Sequence, residues 1–283
     1  MAQNSSPQLT QAANGSTYAV VVSSCDSYRD VWPYFFHFFF RHASNLPQPV
    51  QLVSNFTRYE DGRVWSALTG PDLHWGSNLA QVLNQIESDW VLYLQEDYFL
   101  REPVDAERML RSLSDLQRLK GRFLSLRHHL NHGPKVAGTD FRLIPKHAFF
   151  GDLQAAFWER DLLLEVVCPH PNPWRAEDAI RALADTDGWG GFYCLAEETP
   201  PIFSYVEAVK GKFWKPDGLE FLRQQGLTPD FSVRPFPRAG QQWWAKGLRS
   251  LHKRRMGWRE RLRSRWVQWA GAVPVKPLPI LPS

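Results

Sequence analysis

Cysteine is scarce: Cys25, Cys168 and Cys194 are the only three in 283 residues. An odd, widely spaced set closes no disulfide framework and matches no zinc-ligand spacing, so free thiols in a reducing compartment are expected. No apolar stretch is long enough to cross a bilayer. The polar N-terminus lacks a basic start followed by an apolar run, so no secretory leader is expected. The expected location is cytoplasmic, docked peripherally on the inner membrane. No Gly-x-Gly-x-x-Gly follows any strand-like run, which removes the dinucleotide-binding fingerprint. There is no internal repeat and no nucleic-acid recognition motif, and the basic charge is largely confined to the C-terminal segment, which argues against a nucleic-acid partner. Acid is nearly missing from that segment. Glu260 stands alone among Lys253, Arg254, Arg255, Arg259, Arg261, Arg263 and Arg265.

Apolar residues are plentiful at 43% and charged ones make up 22%, which fits a globular protein with a substantial core. The net charge of +4 suits phosphate-bearing ligands or an anionic surface. Thirteen Trp are many for this length and suit either burial or stacking on sugar rings. Residues 1–16 read as a polar, disordered lead-in, residues 17–240 as the globular domain, and residues 241–283 as a basic amphipathic helix with a Pro-rich tail. In that helix Leu248, Leu251, Trp258, Leu262, Trp266 and Trp269 fall near one face. It reads either as a membrane-surface helix on anionic lipid or as a helix packed on the domain with a solvated basic face.

Tyr18–Val22 is a continuous β-branched run, the signature of a strand buried on both faces. It ends in Ser23-Ser24-Cys25-Asp26-Ser27, a cluster of turn residues. An aromatic helix is expected over Val31–Phe40, with Pro33 in its first turn. Strands follow at 50–53 and 64–68, and a helix over 77–86 with Ser77 as its cap. Trp90–Leu94 is another buried strand and runs straight into Gln95-Glu96-Asp97. A helix is expected over 105–119 and a strand at 123–126. Further on, a helix is expected over 153–164 with Asp152 as its cap, a short helix over 176–184 and a strand at 192–195. This alternation implies βαβ units and a mostly parallel sheet, with ligands bound beyond the carboxyl ends of the strands.

Three segments carry candidate chemistry. Glu96 and Asp97 close a hydrophobic strand in an apolar context, and burying both costs several kcal/mol unless something positive compensates. They read either as ligands for a divalent cation bearing a diphosphate or as caps paired with an arginine. Glu177 and Asp178 follow the stiff Asn172-Pro173-Trp174 segment. They read either as a general base and its neighbour, with Trp174 raising the pKa, or as ordinary acids at a helix N-terminus. Tyr205–Trp214 mixes aromatics, Lys210, Gly211 and Lys212, and reads either as a loop over a diphosphate or as a surface strand and turn. His128, His129 and His132 are followed by Gly133-Pro134 and have no companion Glu, so an exposed or acceptor-facing loop is expected rather than a zinc site.

Glu96-Asp97-Tyr98-Phe99-Leu100, ending its strand, resembles a segment of a bacterial GT-A-type glycosyltransferase family. In that family it stands in place of the Asp-x-Asp metal and diphosphate motif. Val20–Tyr28 is similar to the family's first strand and its nucleotide-contacting end. Trp75-Gly76-Ser77-Asn78-Leu79 is similar to the helix start that faces the donor, and Asn172–Asp178 resembles the late acidic motif that supplies the base. The four pieces occur in the family's order, and the resemblance spans about Tyr18 to Trp214.

The resemblance implies a GT-A-like, Rossmann-type α/β/α sandwich with a mostly parallel central sheet, and a catalytic domain over 17–240. It implies transfer of a sugar from a nucleotide-sugar donor to a carbohydrate or lipid-linked acceptor, with inversion. Ser23, Ser24 and Asp26 would hold base and ribose, Asp26 being equally readable as a turn residue. Trp75 and Asn78 would face the donor, and Asp97 with Glu96 would hold Mn²⁺ or Mg²⁺. Lys210, Lys212 or Arg127 would neutralise the leaving group in a metal-free variant, and Glu177, with Asp178 beside it, would be the base. Two other classes compete: a metal-dependent phosphohydrolase using the same acids and the histidines, and a non-catalytic carbohydrate-binding or membrane-scaffold protein.

Overall fold

A computed structural model of the chain describes residues 10–11, 17–72, 74–128, 132–145, 153–168, 170–184 and 190–236. Its strands are β1 (Thr10–Gln11), β2 (Thr17–Ser23), β3 (Val50–Ser54), β4 (Val64–Leu68), β5 (Trp90–Gln95), β6 (Tyr98–Leu100) and β7 (Phe123–His128). They continue with β8 (Phe141–Leu143), β9 (Ala156–Glu159), β10 (Phe192–Leu195), β11 (Tyr205–Glu207), β12 (Val209–Lys210) and β13 (Phe213–Trp214). The helices are α1 (Trp32–His42), α2 (Trp75–Leu83), α3 (Ala106–Arg118), α4 (Arg160–Val167), α5 (Pro173–Ala184) and α6 (Pro216–Gln224).

The central sheet runs β4-β3-β2-β5-β9-β7-β10-β8, with β1 beside β2. β4, β3, β2 and β5 are parallel, and β7 with β10 continues in the same direction. β1, β8 and β9 run against them. The apolar runs have no polar face because both faces are covered. Tyr18, Val20, Val22, Trp90, Leu92 and Leu94 join one core with α1, α3 and α6. The alternate residues Ala19, Val21, Val91 and Tyr93 join a second core with α2, α4 and α5. Period-two side-chain direction thus sorts one continuous run onto two layers, and each buried side chain of this size contributes roughly 1.5–3 kcal/mol. The result is an α/β/α sandwich on a mostly parallel sheet.

Three local expectations are corrected. The helix expected over 153–164 is split: Ala156–Glu159 is β9, inserted antiparallel between β5 and β7, and only Arg160–Val167 is helical. Ala155-Ala156-Phe157-Trp158 is too short an apolar run for periodicity to separate strand from helix. The open slot in the sheet takes it as a strand, with Phe157 in one core and Trp158 in the other. Asp152 lies outside the described residues. Helix α5 starts at Pro173 rather than Ala176, because the Asn172 side chain accepts from the Arg175 backbone N–H at 3.0 Å and caps it.

Ser77 lies inside α2, which has His74 at its cap position and no side-chain cap. Its first N–H groups are met from across the fold. Trp75 donates to the Pro171 carbonyl at 3.2 Å and Gly76 to the His170 carbonyl at 3.0 Å. That close approach requires glycine, since a Cβ on Gly76 would stand 2.0 Å from the Val167 carbonyl oxygen. Gly76→Ala is therefore expected to destabilise the protein by about 3 kcal/mol or more, read as a lower urea midpoint at unchanged slope.

Candidate functional site

The chain leaves β2 through α1 to β3 on one side, then crosses back through α2 from β4 to β5 on the other. The strand order reverses between β2 and β5, and a doubly wound sheet opens its binding crevice at the carboxyl ends of such a pair. Ser23 at the end of β2 stands opposite Gln95 at the end of β5. The Ser23–Ser27 turn and the Glu96–Asp97 pair are therefore neighbours at one edge.

Glu96 is 6% exposed. Its carboxylate accepts a hydrogen bond from Ser24, whose hydroxyl is held by the Trp32 indole N–H at 2.7 Å. Burial pushes its pKa well above the usual carboxylate range and the adjacent Asp97 charge adds to the push, with Arg234 among the groups opposing. Asp97 Oδ1 is sealed from solvent and has no hydrogen-bond partner. Burial raises the Asp97 carboxyl to about 7, Glu207 adds to the rise, and Lys210 and Lys215 oppose it. An ionised carboxylate oxygen without a donor is costly in the interior, and a bound cation or a proton would relieve it. This orphaned oxygen beside a second carboxylate fits a hard divalent ion. Among the described residues no three His, Cys, Asp or Glu side chains gather, so further ligands would come from phosphate and water, as Mg²⁺ prefers.

Residues expected as a loop or a surface turn form ordered cover over the pair. β11 pairs with β6 so that Glu207 stands opposite Tyr98, and the Ala208 N–H donates to the Asp97 carbonyl at 2.7 Å. Lys215 and Lys210 reach Glu207 at 2.5 and 3.5 Å. β12 and β13 close through a Gly211–Lys212 tip, with Gly211 at φ +61, a conformation that favours glycine in a two-residue turn. The Gly211 carbonyl accepts from the Tyr28 hydroxyl at 3.1 Å and from Arg234 Nη1 at 2.8 Å. Arg234 also forks onto Asp30 at 2.9 and 2.8 Å, donates to the Ser27 carbonyl at 2.8 Å, and lies 4.6 Å over the Tyr28 ring. One buried arginine thus ties the turn after β2 to the β12–β13 tip beside the two acids.

Of the residues expected at the donor site, Ser23, Ser24, Trp75, Glu96 and Asp97 are brought together. The Trp75 indole N–H donates to Ser23 Oγ at 2.9 Å. Asp26 is taken up elsewhere. Its carboxylate accepts from the backbone of Asn55, Phe56 and Thr57 at 2.9, 3.1 and 3.1 Å and from the Thr57 hydroxyl at 2.8 Å, pinning the turn after β2 to that after β3. Asn78 is buried, with its amide 3.4 Å from Asp72. Lys210 and Lys212 are exposed beside Gly211, and Arg127 is near the end of β7.

Glu177 is partly buried one turn into α5, whose start is joined to α2 through the Pro171–Trp75 bond. That brings the α5 N-terminus to the same sheet edge. Asp178 belongs to α5. Trp174, expected as an apolar neighbour raising the base's pKa, is instead 63% exposed, because Ala176 and Ile180 take the core side of α5. His128 bonds the Thr199 carbonyl at 2.6 Å and His132 meets Glu197 at 3.0 Å, while His129 lies outside the described residues. Segments 1–9, 12–16 and 237–283, including the amphipathic C-terminal stretch, also lie outside them. Sequence reasoning missed Arg234, Glu207 and Lys215, whose roles come from contacts with residues far along the chain.

No family model matches the chain, and no curated protein matches it. Solved structures that align with it include S. aureus TarS 1–349 in complex with UDP-GlcNAc, at 15% identity and a TM-score of 0.43, covering 73% of this chain and 64% of that one. CMP:2-keto-3-deoxy-manno-octonic acid synthetase complexed with CTP aligns at 16% identity and a TM-score of 0.39, covering 74% and 98%. A cytidylyltransferase from Leptospira borgpetersenii aligns at 9% identity and a TM-score of 0.40, covering 77% and 96%. The chain spans less than two thirds of the TarS chain it matches. At these values the function rests on this chain's own residues.

Proposed function

We propose that the protein is a glycosyltransferase of the GT-A type, moving a sugar from a nucleotide-sugar donor to a carbohydrate or lipid-linked acceptor. The observation that carries this reading is the orphaned Asp97 Oδ1, buried beside Glu96 at the strand-order reversal between β2 and β5. Asp97 and Glu96 would hold a divalent cation, Mn²⁺ or Mg²⁺, which supplies charge neutralisation for the departing diphosphate. Lys210 and Lys212 add positive charge at the tip of the covering hairpin. Ser23, Ser24 and Trp75 shape the wall that receives the nucleotide. Glu177 takes the proton of the acceptor hydroxyl as its oxygen bonds to the anomeric carbon, and the bond from that carbon to the diphosphate breaks with inversion.

A thermal-shift screen of nucleotide sugars with and without Mn²⁺ tests the donor. A ligand bound only by the native state raises the melting temperature, and about 100-fold saturation contributes about 2.7 kcal/mol. Glu177→Gln is expected to keep that shift while lowering turnover about a hundredfold or more. A screen with no shift for any donor would sink the reading. Phosphate release without an acceptor would favour the phosphohydrolase.

A further inference from the structure

Trp174, at 63%, is the most exposed of the large apolar side chains that stand in water among the described residues. The helix that carries it is firmly seated. Pro173 opens α5, the Asn172 side chain caps it at 3.0 Å, and Ala176 and Ile180 hold its inner side in the core. Turning the indole inward would require rotating that helix, so the fold keeps a rigidly mounted aromatic ring in solvent.

The mounting stands beside the crevice. The Pro171 and His170 carbonyls accept from the Trp75 and Gly76 N–H groups at 3.2 and 3.0 Å, and the Trp75 indole reaches Ser23 at the end of β2 at 2.9 Å. Trp174 follows Pro171 by three positions and precedes Glu177 by three. At that spacing Trp174 and Glu177 leave the same face of α5. His74 is exposed and His170 half-buried at the same joint.

The neighbours select the occupant. A lipid tail or an apolar protein surface needs a contiguous apolar patch, and no other exposed large apolar side chain lies on α5 or at the start of α2 among the described residues. Trp174 is flanked instead by exposed Arg175 and half-buried Glu177. A pyranose fits that setting. Its C–H groups form one apolar face that covers an indole, and its hydroxyls point sideways to charged and hydrogen-bonding groups.

We propose that Trp174 is the floor of a carbohydrate subsite, on which one pyranose ring of the acceptor stacks with its hydroxyl rim toward Glu177 and the α2–α5 joint. Naming that sugar the acceptor rests on the transferase reading; the stacking itself does not.

Saturation-transfer NMR of the full-length protein with maltotriose, cellotriose and chitotriose reads the subsite without a donor. The wild type is expected to bind at least one of the three. Trp174→Ala should weaken that binding about tenfold, and Trp174→Phe should keep most of it, since a smaller ring still offers a face. Both variants should melt as the wild type does, because the side chain is exposed, and both should keep the thermal shift with nucleotide sugar. A wild type that binds none of the trisaccharides overturns the proposal. So does a Trp174→Ala protein that binds them like the wild type, or one that loses the nucleotide-sugar shift together with the trisaccharide, which puts the ring on the donor side. Trisaccharide binding that depends on Trp174 in a protein with no donor shift upholds the subsite and sinks the transferase reading alone.

Discussion

Asp97→Asn is expected to make the protein more stable above neutral pH and nearly inactive. The Asp97 carboxyl titrates near 7 in the fold against a reference of 3.8, because burial and Glu207 outweigh Lys210 and Lys215. Between those values the native state holds a proton that the unfolded chain has released. Stability is therefore fully present below the unfolded value and is lost as pH rises through about 7. The asparagine keeps the volume and removes the charge. At about pH 8 we expect it to gain on the order of 2 kcal/mol, or roughly 5 °C in melting temperature. The gain should shrink as pH falls below about 7 and vanish only below about pH 4, and the wild type should recover it at high pH when Mn²⁺ and a nucleoside diphosphate are added. Turnover should fall about a hundredfold or more, since the proposed cation site would lose its charged ligand. Melting curves across pH for both proteins, with and without Mn²⁺, check the pattern. A wild type whose stability is flat from about pH 5 to 8 would show that Asp97 carries no such strain.

Arg234→Ala is expected to be among the most destabilising single changes in the chain. It strips the guanidinium's hydrogen bonds from the Asp30 carboxylate and the Ser27 and Gly211 carbonyls, the last keeping the Tyr28 hydroxyl, and removes the cation over Tyr28. Breaking one side of a buried ion pair costs about 3–5 kcal/mol, which lowers the melting temperature by roughly 10 °C at this size. Lys at this position keeps the charge but not the planar fork, so about half of the loss should remain. Hydrogen exchange should quicken at residues 27–31 and 211–214, because the arginine holds those two turns together. Donor affinity should fall with them, as the hairpin over Glu96 and Asp97 loosens.

Much of the site was legible before the fold was known. A β-branched run that stops abruptly in small polar residues predicts a strand end, and two acids ending another such run predict a buried charge needing a partner. The carboxyl-edge position of both followed from the alternation of strands and helices. The helix capping at Asn172 and Trp75 was not legible, because the first depends on an Asx cap before a proline and the second on carbonyls of a distant loop. The strand at Ala156–Glu159 was read as helix because four apolar residues satisfy both periods, and only the vacant position between β5 and β7 selects one.

By itself, the sequence determined the layered core and the location of the acids. Continuous apolar runs have no water-facing side and must be covered twice, and charge at the end of such a run is confined to the sheet edge. Only the tertiary structure decided that Asp26 is used up in a turn clamp, that Asp97 Oδ1 is left without a donor, and that Arg234 ties the turn after β2 to the β12–β13 tip. Those outcomes depend on groups far apart in the chain, 204 positions between Arg234 and Asp30. Local propensity has no means of encoding which of many arginines will meet which carboxylate once the layers are packed.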